Sequence, residues 1–304
     1  MEFLKVLEGI RTPLLDAFFS AVTHLGEETI FIIVGLIFFW CVSKKQGYFL
    51  LSVGFIGIVV NQFLKLWFRI PRPWVKDPNF TIVESARAEA TGYSFPSGHT
   101  QSSVGVFGSI ARVTKYKVLR ILCIVACVLI PFSRMYLGVH TPQDVLVSIV
   151  IATLLVLGLY PLLNKIVDQP KKMRVYFICL LLLAGAFLAF VLLYLFPADI
   201  DVQNYAGVVK NAYKILGCAL GLWITYEVDL QYTHFETRAV WWVQLLKLVP
   251  GFIIILGIKS GLKEPLYALM NGNYLADGIR YLLITSFAGA VWPITFKYFA
   301  KLQR

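Results

Sequence analysis

The sequence predicts an all-α fold: a polytopic membrane helix bundle of about nine transmembrane helices, preceded by an N-terminal interfacial amphipathic helix. Three observations predict it. Of 304 residues, 58% are hydrophobic and only 15% charged, with a mean hydropathy of +0.73, which is too apolar for a soluble domain of this length. Apolar runs of spanning length fall at about 29–42, 48–68, 99–113, 118–131, 145–163, 175–196, 208–226, 239–262 and 279–296. With no water in the bilayer core, helices are the sensible form for such runs. Finally, the basic residues cluster at alternate junctions: Lys44 and Lys45; Arg112, Lys115, Lys117 and Arg120; Lys165, Lys171, Lys172 and Arg174; Lys297, Lys301 and Arg304. The positive-inside rule makes that side cytoplasmic. It also accounts for the net charge of +11, so no nucleic-acid partner is expected. The loop carrying Glu227, Asp229, Glu236 and Arg238 should lie on the same side yet has no positive excess.

Residues 1–25 alternate apolar positions such as Leu4, Leu7 and Phe19 with Glu2, Lys5, Glu8, Arg11 and Asp16. This pattern suits a helix lying in the outer membrane interface, broken or restarted at Thr12-Pro13. His24 reads as a surface or capping residue. No cleavable signal-peptide pattern is seen, so the early spans should direct insertion. Residues 26–165 form the second predicted region, and they contain a long polar loop between Ile70 and Pro96 that serves either as a partial lid or as a connector. Arg69, beside this loop, reads as an interface residue.

The chemistry-bearing residues gather in three stretches. Around Thr141, Pro142 and Asp144 a helix should begin, with threonine as N-cap and proline at the first position. That leaves His140 at the mouth of a helix, with a carboxylate four residues on to hold one ring nitrogen while the other points outward as nucleophile or base. Arg134 supplies a fork of donors suited to phosphate. Pro96-Ser97-Gly98-His99 opens another helix, whose first N–H groups and serine hydroxyl can cradle an anion, and Gly98 permits close approach. Lys65 and Arg72 add two more cations.

Lys65-x6-Arg72-Pro73, Pro96-Ser97-Gly98-His99 and Ser133-Arg134-x5-His140-x3-Asp144 resemble the three motifs of the type 2 phosphatidic acid phosphatase superfamily, complete and in order. The resemblance covers roughly residues 1–165, and residues 11–26 are similar to the interfacial segment of its bacterial members. It implies a metal-independent membrane phosphatase acting on a lipid phosphate or diphosphate, of the phosphatidic acid, phosphatidylglycerol phosphate or polyprenyl type. In that scheme His140 forms a phosphohistidine, Asp144 orients it, and His99 serves as acid and then base. Lys65, Arg72, Ser97, Gly98 and Arg134 bind the phosphate. No cofactor or metal is expected, and the partners are the lipid substrate and membrane lipids. The site would open on the extracytoplasmic face of the cell membrane. A phosphotransferase using the same intermediate and a non-enzymatic lipid translocator stay open as alternatives. The apolar chain argues against the soluble haloperoxidase branch of the family.

Residues 166–304 form a four-span region of unknown role, without a second copy of the motifs. Lys214 and Glu227 read as snorkelling residues, and Trp241, Trp242 and Trp292 as interface anchors. Lys247, near a helix break expected at Pro250-Gly251, is the candidate for a second functional feature. The five cysteines show no metal-like spacing and read as packing residues.

Overall fold

The computed structural model describes residues 1–197 and 200–301, and every regular element among them is helical. Arg304, counted above with the basic span ends, lies outside the described residues. Six helices are long and apolar enough to cross a membrane, or seven if the pair Pro13–His24 and Glu28–Val42, bent by 47°, acts as one span. The other two of the nine apolar runs also form helices. One has 16 residues, about 24 Å at 1.5 Å per residue, and so falls short of a 30 Å hydrocarbon core. The other has 27 residues but carries Lys210 and Lys214. The described chain divides into two units: Met1–Gly35 with Tyr48–Leu163, and Leu36–Gly47 with the described residues from Asn164 onward.

In the first unit, α1 (Glu2–Gly9) and α2 (Pro13–His24) are separate helices. Ile10 closes the first and Thr12 caps the second: the Thr12 hydroxyl accepts the Leu15 N–H, and Pro13 takes the first helical position. The apolar residues of this segment split between two directions. Leu4 and Leu7 pack on Phe80 and Ile82, while Phe3, Val6, Ile10, Leu14 and Phe18 stay exposed. After α3 (Glu28–Ile37) and a π turn, α4 (Lys44–Phe68) leads into the short α5 (Pro73–Lys76). The chain continues through α6 (Gly98–Val113), α7 (Lys117–Tyr136) and α8 (Pro142–Ile166).

Docking of α2 onto the end of α7 sets the site's frame. Phe19 packs 4.4 Å from the Tyr136 ring, and the Tyr136 hydroxyl donates to Asp16 at 2.8 Å. Arg11 donates to the carbonyls of Tyr136 at 3.1 Å and Thr81 at 2.9 Å. Between α7 and α8 the chain turns through Gly138 at φ +82°. A side chain there would be strained and would meet Arg11 Nη2 at 2.6 Å, so only glycine lets the chain turn from Arg134 to His140 in five residues.

The second unit contains α9 (Pro170–Leu193), α10 (Val202–Val228), α11 (Trp241–Gly261), α12 (Lys263–Leu269), α13 (Leu275–Ser286) and α14 (Phe296–Lys301). α10 and α13 approach so closely that a Cβ on Gly217 would lie 2.0 Å from the Gly278 carbonyl oxygen, the small-residue contact that membrane helices use. The acidic loop without positive excess is neutralised by its neighbours: Arg174 pairs with Glu227 and Lys44 with Asp229, each at 2.7 Å. Glu227 is therefore ion-paired and does not merely snorkel.

Two further expectations are corrected here. α11 runs unbroken through Pro250, and buried Lys247 donates to the Glu236 and Thr237 carbonyls, both at 3.1 Å. Its ammonium also lies 5.0 Å from the Phe296 ring. Lys247 thus ties the preceding loop to the bundle, because a buried ammonium must find acceptors and loop carbonyls provide them. Trp292 is buried too, and donates to the Lys247 carbonyl at 2.8 Å, so it is a packing residue and not an interface anchor.

Candidate active site

The beginning of α8 assembles the centre of the site. Thr141 and Asp144 form a reciprocal capping box: the Asp144 N–H donates to the Thr141 hydroxyl at 3.4 Å, and the Thr141 N–H to Asp144 Oδ2 at 2.8 Å. That same Oδ2 lies 3.5 Å from His140 Nδ1, longer than a strong hydrogen bond but facing it. The other ring nitrogen, Nε2, receives a hydrogen bond from Arg72 Nη1 at 2.9 Å. A guanidinium only donates, so Nε2 carries the lone pair and Nδ1 the proton. His140 lies in the turn between α7 and α8. Burial, and after it the charges of Arg72, Arg134 and Lys65, pushes its ring well below the ordinary imidazole range. The imidazole is therefore neutral at pH 7.

The three cations are all buried and are held by oxygens, not by acids. Arg72 donates to the carbonyls of Gly92 at 3.0 Å, Thr91 at 2.7 Å and Val139 at 3.0 Å. Lys65, near the end of α4, donates to the Tyr93 carbonyl. Arg134, in the last turn of α7, donates through Nη1 to the Thr23 hydroxyl at 2.8 Å, while its Nε and Nη2 find no acceptor among the described residues. Among the described residues none of the three forms an ion pair. Buried donors left without partners are costly, and three cations around one neutral imidazole make a concentrated demand for an anion.

The second motif stands beside them. Ser97 caps α6 by accepting the Thr100 N–H at 3.4 Å, while its own N–H donates to the Asp144 carbonyl at 3.1 Å. Ser148 donates to both the Ser97 and Asp144 carbonyls at 2.9 Å, locking the starts of α6 and α8 together. Over Gly98 a Cβ would meet only Asn61 Oδ1, at 3.9 Å, which leaves that face of the helix start open. His99 follows, with its Nε2 buried and unpartnered. All eight residues singled out from the sequence thus belong to the first unit, at neighbouring ends of α4, α6, α7 and α8. His24 stands apart: it is exposed and pairs with Glu27.

Residues 45–168 match the model of the PAP2 superfamily, and residues 213–304 that of the PAP2 superfamily phosphatase, transmembrane extension. Phosphatidylglycerophosphatase B of Bacillus subtilis (strain 168) is 32% identical over 150 residues, which is 45% of this chain and 70% of that protein. The chain belongs to the PAP2 superfamily. A probable sphingosine-1-phosphate phosphatase of Dictyostelium discoideum is also 32% identical, over 159 residues, 48% of this chain and 38% of that longer protein. Among solved structures, that of a transmembrane PAP2 type phosphatidylglycerolphosphate phosphatase from Bacillus subtilis is 29% identical, with a TM-score of 0.45, covering 54% of this chain and 84% of that one.

Beyond the three PAP2 motifs, the site uses residues that sequence reasoning passed over. The loop 70–97 does more than connect: its carbonyls at 91–93 hold Arg72 and Lys65, and the Ser94 hydroxyl donates to Asp144 Oδ2 at 2.6 Å. Thr23 receives Arg134 from α2. Ser94 stands three residues before Ser97, the one local hint available. Its loss should be measurable. With Ser94→Ala, Asp144 keeps the Thr141 N–H but loses a short charge-assisted bond, so the fold should lose about 1.5–3 kcal/mol and kcat/KM fall about tenfold or more. Thermal unfolding and steady-state kinetics on the same preparation check both; unchanged kinetics would show that Asp144 needs no second donor.

Proposed function

We propose that the chain is a membrane-embedded phosphoric-ester hydrolase that removes the phosphate of a lipid monoester, or splits a lipid diphosphate, through a phosphohistidine on His140. The observation that carries this reading is the neutral His140 ring set among three buried cations that have no acidic partners. Phosphoryl transfer needs mostly positioning and charge stabilisation, and three cations suffice to neutralise a phosphate without a metal.

In this reading the phosphate takes donors from Lys65, Arg72, Arg134 and the start of α6 at Ser97 and Gly98. His140 Nε2 attacks phosphorus in line. The bond from phosphorus to the lipid oxygen breaks, and His99, holding in the substrate complex a proton taken from solvent, gives it to the departing oxygen. His99 then takes a proton from water, whose oxygen attacks the phosphohistidine, releasing inorganic phosphate and neutral His140. Asp144, held by the capping box, keeps Nδ1–H oriented and stabilises the charge that develops on the ring.

The names of the relatives, a phosphatidylglycerophosphatase and a probable sphingosine-1-phosphate phosphatase, support a lipid substrate. Residues 26–165 act as the phosphatase core, with 1–25 as an interfacial element whose exposed Phe3, Val6, Ile10, Leu14 and Phe18 face lipid. Residues 166–304 are the four-span region. α6 crosses as well, since its Thr100, Gln101, Ser103 and Ser109 are buried in protein and not exposed to lipid, and with α10 and the Glu28–Val42 segment it brings the six long apolar helices to nine spans. The basic end of α6 and α7 then lies in the cytoplasm and the site faces outward.

The test is phosphate release by the purified protein from phosphatidic acid, a phosphatidylglycerol phosphate, a sphingoid phosphate and a polyprenyl diphosphate, with and without EDTA and with an added alcohol. Release that resists EDTA from at least one lipid is the expected outcome. Loss of activity in EDTA would remove the metal-free mechanism, and phosphate appearing only on the alcohol would make the chain a transferase.

A further inference from the structure

α6, α7 and α8 enclose a second feature, on faces that carry none of the catalytic residues. A groove of about 790 Å³ runs between them. On α6 it is lined by Val104, Gly108, Ala111 and Arg112, on α7 by one face from Arg120 to Met135, and on α8 by one face from Pro142 to Leu157. The α7 side alone extends from Arg120 to Met135, fifteen rises of 1.5 Å or about 22 Å, which exceeds the half-thickness of a hydrocarbon core. Its walls are apolar, and several of them, including Ile124, Val128, Leu146 and Leu157, are exposed as lipid-facing side chains are.

Charge sits at one end only. Arg112 and Arg120 line the groove at the end away from His99 and His140. Arg120 donates to the Ala111 and Thr114 carbonyls. Arg112 donates to no protein acceptor among the described residues and stacks only on Tyr160, its guanidinium carbon 4.6 Å from the ring centre. Lys115 and Lys117 lie in the same turn, and the sequence holds no Asp or Glu between Glu89 and Asp144. An unbalanced pair of guanidiniums at the head of a chain-length apolar groove has one matching occupant in a membrane. We propose that this groove binds an anionic phospholipid from the leaflet opposite the active site, its phosphate on Arg112 and Arg120 and an acyl chain along α7 and α8. The site is separate from the catalytic cluster and does not depend on the hydrolase reading.

Native mass spectrometry and thermal unfolding of the delipidated full chain, titrated with phosphatidylglycerol or with phosphatidylcholine of the same acyl chains, test it. Saturating inorganic phosphate is included to keep the catalytic cluster occupied. Phosphatidylglycerol should be retained and should raise the melting temperature, with phosphatidylcholine much weaker. The double variant Arg112→Ala/Arg120→Ala should lower phosphatidylglycerol retention about tenfold. Gly108→Leu, which adds bulk inside the groove where a Cβ meets only Val156 at 3.6 Å, should lower retention of both lipids. Lys115→Ala/Lys117→Ala, outside the lining, should change little. Equal response to the two lipids would overturn the proposal. So would an equal loss in the lysine variant, or a second copy of the chain that dissociates in the arginine variant.

Discussion

His140→Ala should leave a folded protein that releases phosphate at least about 1,000-fold more slowly than wild type, the scale on which removal of a nucleophile is felt. The geometry makes the expectation specific to one atom. Nε2 holds the lone pair, Nδ1–H faces Asp144, and the ring is neutral, so the nucleophile is ready without prior loss of a proton. In the resting site that lone pair is covered by the Arg72 guanidinium. A bound phosphate that takes over the Arg72 donor uncovers it. Acid-labile phosphate on protein should therefore be trapped from wild type during turnover and be absent from His140→Ala. Phosphate release persisting in the variant would remove His140 from the mechanism, leaving water as the attacking group.

Arg134→Met should pull activity and stability in opposite directions. Two of the three guanidinium nitrogens have no protein acceptor, although the side chain is wholly buried. An apolar chain of similar length removes that unsatisfied charge. It leaves only the Thr23 hydroxyl without its donor, and the fold should gain about 1–3 kcal/mol. The same change removes a cation aimed at the phosphate, which should cost about 100–1,000-fold in kcat/KM. Thermal unfolding and kinetics on one preparation read both. A variant that is less stable and fully active would show that Arg134 is a structural residue of the α2–α7 contact.

The residues of the candidate site were legible because most are charged or titratable, fall at fixed spacings and sit where helices begin or end. Thr141, Pro142 and Asp144 announce a helix start, and that start is what aims Asp144 at His140. Partners that are backbone carbonyls or single hydroxyls leave no such trace. Thr91, Gly92 and Tyr93 act through their oxygens alone, and Thr23 meets Arg134 across 111 positions of sequence. Lys247 shows the converse. Its burial was readable from the apolar run around it, but its carbonyl partners were not, so a tether looked like a functional charge. The span count is only partly legible for a related reason, since length and composition single out six or seven spans among the described residues. Hydropathy measures what a helix would offer to lipid, whereas α6 turns its polar residues toward protein and α10 has its close neighbour in α13. The N-terminal segment divided its apolar residues between a protein face and an exposed face, a split that periodicity alone does not reveal.

That Lys65, Arg72 and Arg134 form no ion pair among the described residues also bears on what the product does. Carbonyl dipoles orient these cations, and the one buried carboxylate among them, Asp144, does not offset three positive charges. Any small oxyanion that fits relieves the excess, and inorganic phosphate fits by construction. An anion that binds the folded chain and not the unfolded one raises stability with its concentration. The leaving phosphate is then at once waste and ballast. What makes the pocket grip the substrate also slows the release of what remains, and the protein would be hardest to unfold in the conditions that most hinder its turnover.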